Sequence, residues 1–228
     1  MADQEAGAEA LSDTTFDGRT RSADAEITLG LLSAVQQNSA LTQRTVAREL
    51  GIALGLANAY LKRCVKKGLI KVSQVPANRY AYYLTPKGFA EKSRLTAEYL
   101  SSSFGFFRAA RQQCTEVFFE CDKQGWKHVA LAGIGDLGEI ATLCAAETQV
   151  TLAGFVEPAF NDSKEIPHRF AGLPVVRTLS ELGTIDAVLV TDLRRPQETF
   201  DAMARAFALD RVLVPRLLRV SRNPPSMA

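Results

Sequence analysis

The chain has 228 residues, of which 46% are hydrophobic and 23% charged, with a formal net charge of +2. These fractions exclude wholesale disorder, and the length accommodates two ordinary domains. No window approaches the roughly 20 apolar residues of a membrane span, and the acidic N-terminus lacks the basic-then-apolar order of a secretion signal, so a cytoplasmic location is expected.

The charge is unevenly spread: residues 1–24 carry net −4, residues 25–100 net +7 and residues 101–228 net −1. The middle block is the footprint of a phosphate-backbone binder, since each neutralised phosphate releases condensed counterions; a solvated basic face is the alternative. Cys64, Cys114, Cys121 and Cys144 include no C-x-x-C pair. They read as small buried hydrophobes, with a redox role for Cys114 and Cys121, seven apart, as the alternative.

In chain order, residues 1–24 are small, polar and acidic and predict a disordered arm. Ile27, Leu31, Ala34 and Val35 then fall on one face of a first helix ending near Asn38. Thr42 caps a second helix over Gln43–Leu50, Gly51 supplies the turn, and a third helix runs from Ala53 to Lys67 until Gly68 stops it. Leu69–Val72 and Tyr80–Leu84, with a polar tip between them, predict a β-hairpin. A helical stretch follows from Phe89 to about Lys123, expected to break near Ser101–Ser103 and Gly105. Its phenylalanines either pack within the chain or form a dimer contact.

From Trp126 the pattern alternates. Apolar strands are expected at His128–Gly133, Val150–Val156, Pro174–Arg177, Asp186–Thr191 and Arg211–Val214. Helices are expected at Asp136–Thr148, Leu179–Leu182 and Pro196–Ala208. Such alternation implies a parallel sheet covered on both faces.

The two helices meeting at Gly51, locked by Val46, Ala47, Leu50, Ile52, Ala57 and Leu61, have the pattern of a helix-turn-helix, and the hairpin supplies a wing. The third helix then points Gly55, Asn58, Ala59 and Lys62 outward, with Arg63 and Lys66 on its flank. Small Gly55 and Ala59 permit close approach to a groove, Asn58 suits an adenine edge, and Lys62 suits guanine or phosphate. Arg44, Lys71 and Arg79 are expected on phosphates. TQRTVARELGIALGLANAYLKRCVKKGLIKV and YAYYLTPKGFAEKSRLTAEYL resemble the MarR-type winged-helix regulators, especially their exopolysaccharide-associated branch, over about Ile27–Phe107. The resemblance implies major-groove binding by the third helix, double-stranded DNA as partner and a homodimer. Many relatives carry Arg where this chain has Ala59, which leaves the preferred sequence open.

Gly133-Ile134-Gly135-Asp136-Leu137-Gly138 is a G-x-G-x-x-G following an apolar strand and opening a helix. Glu157, 19 residues after Gly138, ends the next strand, where an acidic residue accepts from a ribose hydroxyl; Pro158 restricts its backbone and re-aims it. A turn kept for packing alone is the other reading. Thr191, Asp192 and Arg194, after a later strand, are second-tier ligand candidates against a plain helix cap. Residues 127–220 resemble both the NAD(H)-sensing half of Rex-type repressors and the small nucleotide-binding domain of sugar-nucleotide enzymes. GFVEPAFNDSKEIPHRFAGLPVVRTLSEL resembles the second more closely. A nucleotide sugar or NAD(H) is the suspected ligand, and no metal is expected.

All five tyrosines lie at or before Tyr99, which excludes a Tyr-x-x-x-Lys acid/base pair in the sheet region. His128 lies on a strand and His168 in a loop, where a solvated ring is expected rather than catalysis or sensing. The arginines at 211, 216, 219 and 222 suit a dimer or DNA-backbone contact. The expected architecture is therefore α/β overall: arm 1–24, winged helix-turn-helix 25–85, connecting and dimerisation helices 86–125, Rossmann-like ligand domain 126–220 and tail 221–228. The expected function is a DNA-binding regulator, not an enzyme, that senses a small nucleotide-like effector. The alternatives are a small nucleotide-sugar-modifying or oxidoreductase enzyme with an N-terminal dimerisation module, and a structural DNA-binding protein with a vestigial sheet domain.

Overall fold

A computed structural model describes residues 23–75, 79–158 and 165–222, without the side chains of residues 75 and 79. The expected arm, up to residue 22, and the polar hairpin tip at residues 76–78 lie outside the described residues. The chain divides into two compact units, Met1–Ser103 and Phe104–Ala228.

The first unit opens with α1 over residues 23–37. Thr42 caps α2 (Gln43–Glu49), its hydroxyl accepting the Thr45 amide at 3.1 Å. Gly51, at φ +62°, makes the turn into α3 (Leu54–Lys66), and Gly68, at φ +71°, follows its C-terminus. β1 (Ile70–Val75) and β2 (Arg79–Leu84) pair antiparallel with Ile70 opposite Leu84 and Lys71 opposite Tyr83. A further backbone bond, Tyr82 N–H to Ser39 O at 2.9 Å, ties the hairpin to the α1–α2 turn. Leu31, Leu32, Val46, Ala57, Leu61 and Tyr82 are buried together, so α3 is held by its apolar face while its other face stays wet.

α4 (Pro86–Gln124) is one helix of 39 residues. The expected break does not occur. Serine costs a helix only a few tenths of a kcal/mol and glycine about 1 kcal/mol, which the long regular ladder absorbs. A Cβ at Gly105 would meet nothing within 4 Å.

In the second unit, Ala110, Cys114, Phe118 and Cys121 of α4 recur at helical spacing and are fully buried. They belong to the same core as the apolar strands β3 (His128–Ala132) and β7 (Ala187–Val190). With α5 (Asp136–Ala145), β4 (Thr151–Val156), β5 (Arg169–Phe170), β6 (Leu173–Val176), α6 (Pro196–Ala206) and β8 (Val212–Leu213) they complete a six-stranded sheet of order β5-β6-β4-β3-β7-β8. Every pairing is parallel except the β5–β6 hairpin, so the sheet is mixed rather than purely parallel. The expected short helix at Leu179–Leu182 is a single 3-10 turn. The sheet grows from β3 through β4 to β6, and the chain then returns to add β7 on the other side of β3. At such a reversal, loops diverge at the carboxyl ends of the two central strands and leave a crevice.

Residues 215–222 pack on this unit. The Leu217 amide donates to Gln113 Oε1 at 2.8 Å, Arg216 pairs with Glu116 at 2.9 Å, and Gln197 both donates to and accepts from the Ser221 backbone. Arg211 lies 5.7 Å from the centre of the Trp126 ring. Arg211 and Arg216 are thus engaged within the domain.

Candidate functional sites

The DNA-reading candidates converge on α3 and its neighbours. Gly55, Ala59, Lys62 and Lys66 are exposed, and the space in front of Gly55 is open. Between α3 and the hairpin lies a groove of about 320 Å³ lined by Gln43, Asn58, Leu61, Lys62, Val65, Lys66, Val72 and Tyr82. A second groove of about 550 Å³ runs past Thr42, Arg44, Leu54, Tyr80 and Tyr82. Arg44 and Lys71 are exposed. Arg79 sits opposite Val75 in the hairpin; its side chain lies outside the described residues.

Asn58 and Arg63 depart from expectation. The Asn58 Oδ1 atom is buried without a hydrogen-bond partner, so in this orientation only its NH2 is available to the adenine edge it was expected to suit. Arg63 donates to Asp24 at 2.5 Å and stacks over Tyr60 at 4.4 Å, while the Tyr60 hydroxyl donates to the same carboxylate. It is thus committed to joining α3 with α1 rather than presented to a phosphate. Those bonds hold the Asp24 carboxyl below its usual value, Arg63 first and Tyr60 second. Burial, followed by the bond to Asp24, pushes the Tyr60 phenol up. Asp24 and Gln43 were missed from sequence, and only the Tyr60–Arg63 spacing of one helical turn hinted at the cluster.

At the carboxyl edge of the sheet, the three glycines of the loop divide their tasks. Gly133, at φ +103°, passes so close to the loop after β7 that a Cβ would lie 2.5 Å from Asp192 Cβ. Gly135 precedes Asp136 at the start of α5 and faces open space. Gly138 packs on Phe155, 2.6 Å from where its Cβ would be. Asp136 is exposed, Leu137 is buried, and Ile134 is half-buried.

The Glu157 carboxylate accepts the Ile134 amide at 2.9 Å, a bond between the acidic residue and the loop it was expected to serve. Arg177, also missed from sequence, donates to the Glu157 carbonyl at 3.3 Å. Thr191 is fully buried, and its hydroxyl donates to Gly133 O at 2.6 Å. One Asp192 oxygen accepts the Arg194 and Arg195 amides at 2.7 and 3.1 Å; the other accepts the Thr199 hydroxyl at 2.7 Å. Thr191 therefore braces the glycine loop and Asp192 the turn into α6, whose N-cap is Arg195 and has no side-chain cap bond, while Arg194 is exposed.

Burial pushes the thiols of Cys114 and Cys121 up to about 12, leaving both protonated and removing the basis for a redox pair. His128 lies 3.5 Å from Asp186 at the opposite end of β3, and His168 is exposed beside the β5–β6 hairpin. Among the described residues no group of histidine, cysteine and carboxylate side chains is arranged to hold a metal ion, and no helix is long and apolar enough to cross a membrane.

Residues 24–71 match a family model described as winged helix-turn-helix DNA-binding. This part of the chain is accordingly a winged helix-turn-helix DNA-binding domain. No curated protein matches. Among solved structures, the multiple antibiotic-resistance repressor (MarR) from Listeria monocytogenes is 18% identical, with 46% of this chain and 82% of that chain covered at a TM-score of 0.28. Human N-acetylserotonin methyltransferase in complex with SAM is 14% identical, covering 83% of this chain and 72% of that one at a TM-score of 0.26. PigF with SAH is 12% identical, covering 90% and 60% at a TM-score of 0.23. Scores this low carry no argument for an activity. The expectation that the chain is not an enzyme is withdrawn beside these two long matches, because its own ground is too narrow. That expectation rested on a missing Tyr-x-x-x-Lys pair, which excludes one acid/base chemistry and leaves untouched group transfer driven by positioning.

Proposed function

We propose that the chain is a DNA-binding transcription regulator of the MarR type, acting as a cytoplasmic homodimer, whose second unit is a Rossmann-like domain that senses a nucleoside-containing ligand. The observation that carries the first part is the presentation of Gly55, Ala59, Lys62 and Lys66 on the exposed face of α3, in a domain whose family model is described as DNA-binding. Arg44 and Lys71 take phosphates beside it. Phe104 and Phe107, exposed on α4, are surfaces for the second copy.

The ligand reading rests on the glycine loop. Open space before Gly135, at the N-terminus of α5, admits a ligand to backbone amides, and Glu157 stands beside the loop as an acceptor for a ribose diol. A nucleotide sugar or NAD(H) fits this chemistry, and a nucleotide sugar fits control of polysaccharide genes. Ligand binding shifts the two reading helices relative to one another and so alters the match to half-site spacing.

Two measurements separate the parts. Binding of the full chain to its own upstream DNA is expected to exceed binding to random duplex at moderate salt; equal affinity ends the regulator reading. Thermal shift against NAD(H), nucleotide sugars, coenzyme A and SAM is expected to show stabilisation by one class, and none by any would leave the sheet domain without a sensing role.

A further inference from the structure

The reading helix has an unusual shortage of acceptors. Within Leu54–Lys66 the only side-chain oxygens belong to Asn58 and Tyr60. The Tyr60 hydroxyl is engaged with Asp24, and Asn58 Oδ1 is buried in the groove between α3 and the hairpin. What remains for a base edge are donors: the Asn58 amide NH2 and the Lys62 ammonium, one helical turn apart on the same face.

We propose that α3 reads DNA through donors alone and therefore selects guanine in its half-site, with Asn58 and Lys62 as the specificity-determining residues. In the major groove guanine presents two adjacent acceptors, N7 and O6. Adenine presents one acceptor beside a donor, and reading it fully needs a side chain that both donates and accepts. Thymine presents a single acceptor, and cytosine presents a donor that this helix cannot satisfy. Small Gly55 and Ala59 bring the helix close without adding contacts, so discrimination falls to those two side chains. The inference rests on α3 being the DNA-reading helix.

The test is selection by the full chain from a random duplex library, repeated with Asn58→Ala and Lys62→Ala. Removing a buried, unpartnered oxygen leaves the fold intact in the first variant, and Lys62 is exposed in the second. Guanines are expected at the positions whose selection each variant loses, and replacing them by 7-deazaguanine, which lacks N7, should weaken binding about tenfold. Adenine at those positions, with 7-deazaadenine weakening binding, overturns the donor-only assignment while leaving α3 as the reading helix. Enrichment of no sequence over random duplex overturns both.

Discussion

Gly133 brings the ends of two strands into contact. A methyl group there must push Asp192 aside and adopt φ +103°. Strain of this kind and overpacking each cost about 1–3 kcal/mol, so Gly133→Ala is expected to lower the melting temperature by several degrees. An unchanged melting curve would show that the loop after β7 gives way. Asp24 sets an acid limit on the first unit. Its carboxyl titrates below the ordinary value of 3.8, so the stabilisation by Arg63 and Tyr60 is complete above that value and fades as pH falls through the lower folded value. Asp24→Asn is expected to lower the neutral plateau modestly, because the pair is partly exposed, and to flatten the acid limb below about pH 4 by the same amount. Acid denaturation followed by circular dichroism reads this directly.

At the level of elements, the short helices and the apolar strands were legible because their signals are local: Thr42 as a cap, Gly51 and Gly68 as stops, and the continuous run at residues 128–132. What was not legible depended on partners far along the chain. Asp24 and Arg63 are 39 residues apart, and β5 is a two-residue strand that exists only because β6 turns back on it. The unbroken α4 was missed because propensity was weighed locally, whereas buried Ala110, Cys114 and Phe118 hold the helix from one side. Gly105→Ala should then stabilise the protein by about 0.5–1 kcal/mol, since the site is helical and open and alanine loses less backbone entropy. A lower melting temperature in this variant would mean that the glycine serves a contact made only by another molecule.

For the whole molecule, the net +7 of residues 25–100 is expected to dominate encounters with DNA despite a total charge of only +2. Affinity should fall steeply with salt, and Arg44→Ala, Lys66→Ala and Lys71→Ala should each reduce the slope of log K against log salt by about 1 without altering sequence preference. Filter binding across a salt series decides this; a changed preference would make the residue a base reader. The candidate sites were only partly legible at this scale. The glycine loop was visible as a motif, but the bond from Thr191 that braces it depends on strand order, which no local pattern encodes. The segment after β8 has a practical consequence. Because Leu218 is buried and the backbone at Leu217 and Ser221 is bonded to α4 and α6, a truncation ending at Val214 would strip the sheet domain of a fastening strap and leave an insoluble product. The bonded backbone at Leu217 should also slow tryptic cleavage after Arg216 even though that side chain is exposed.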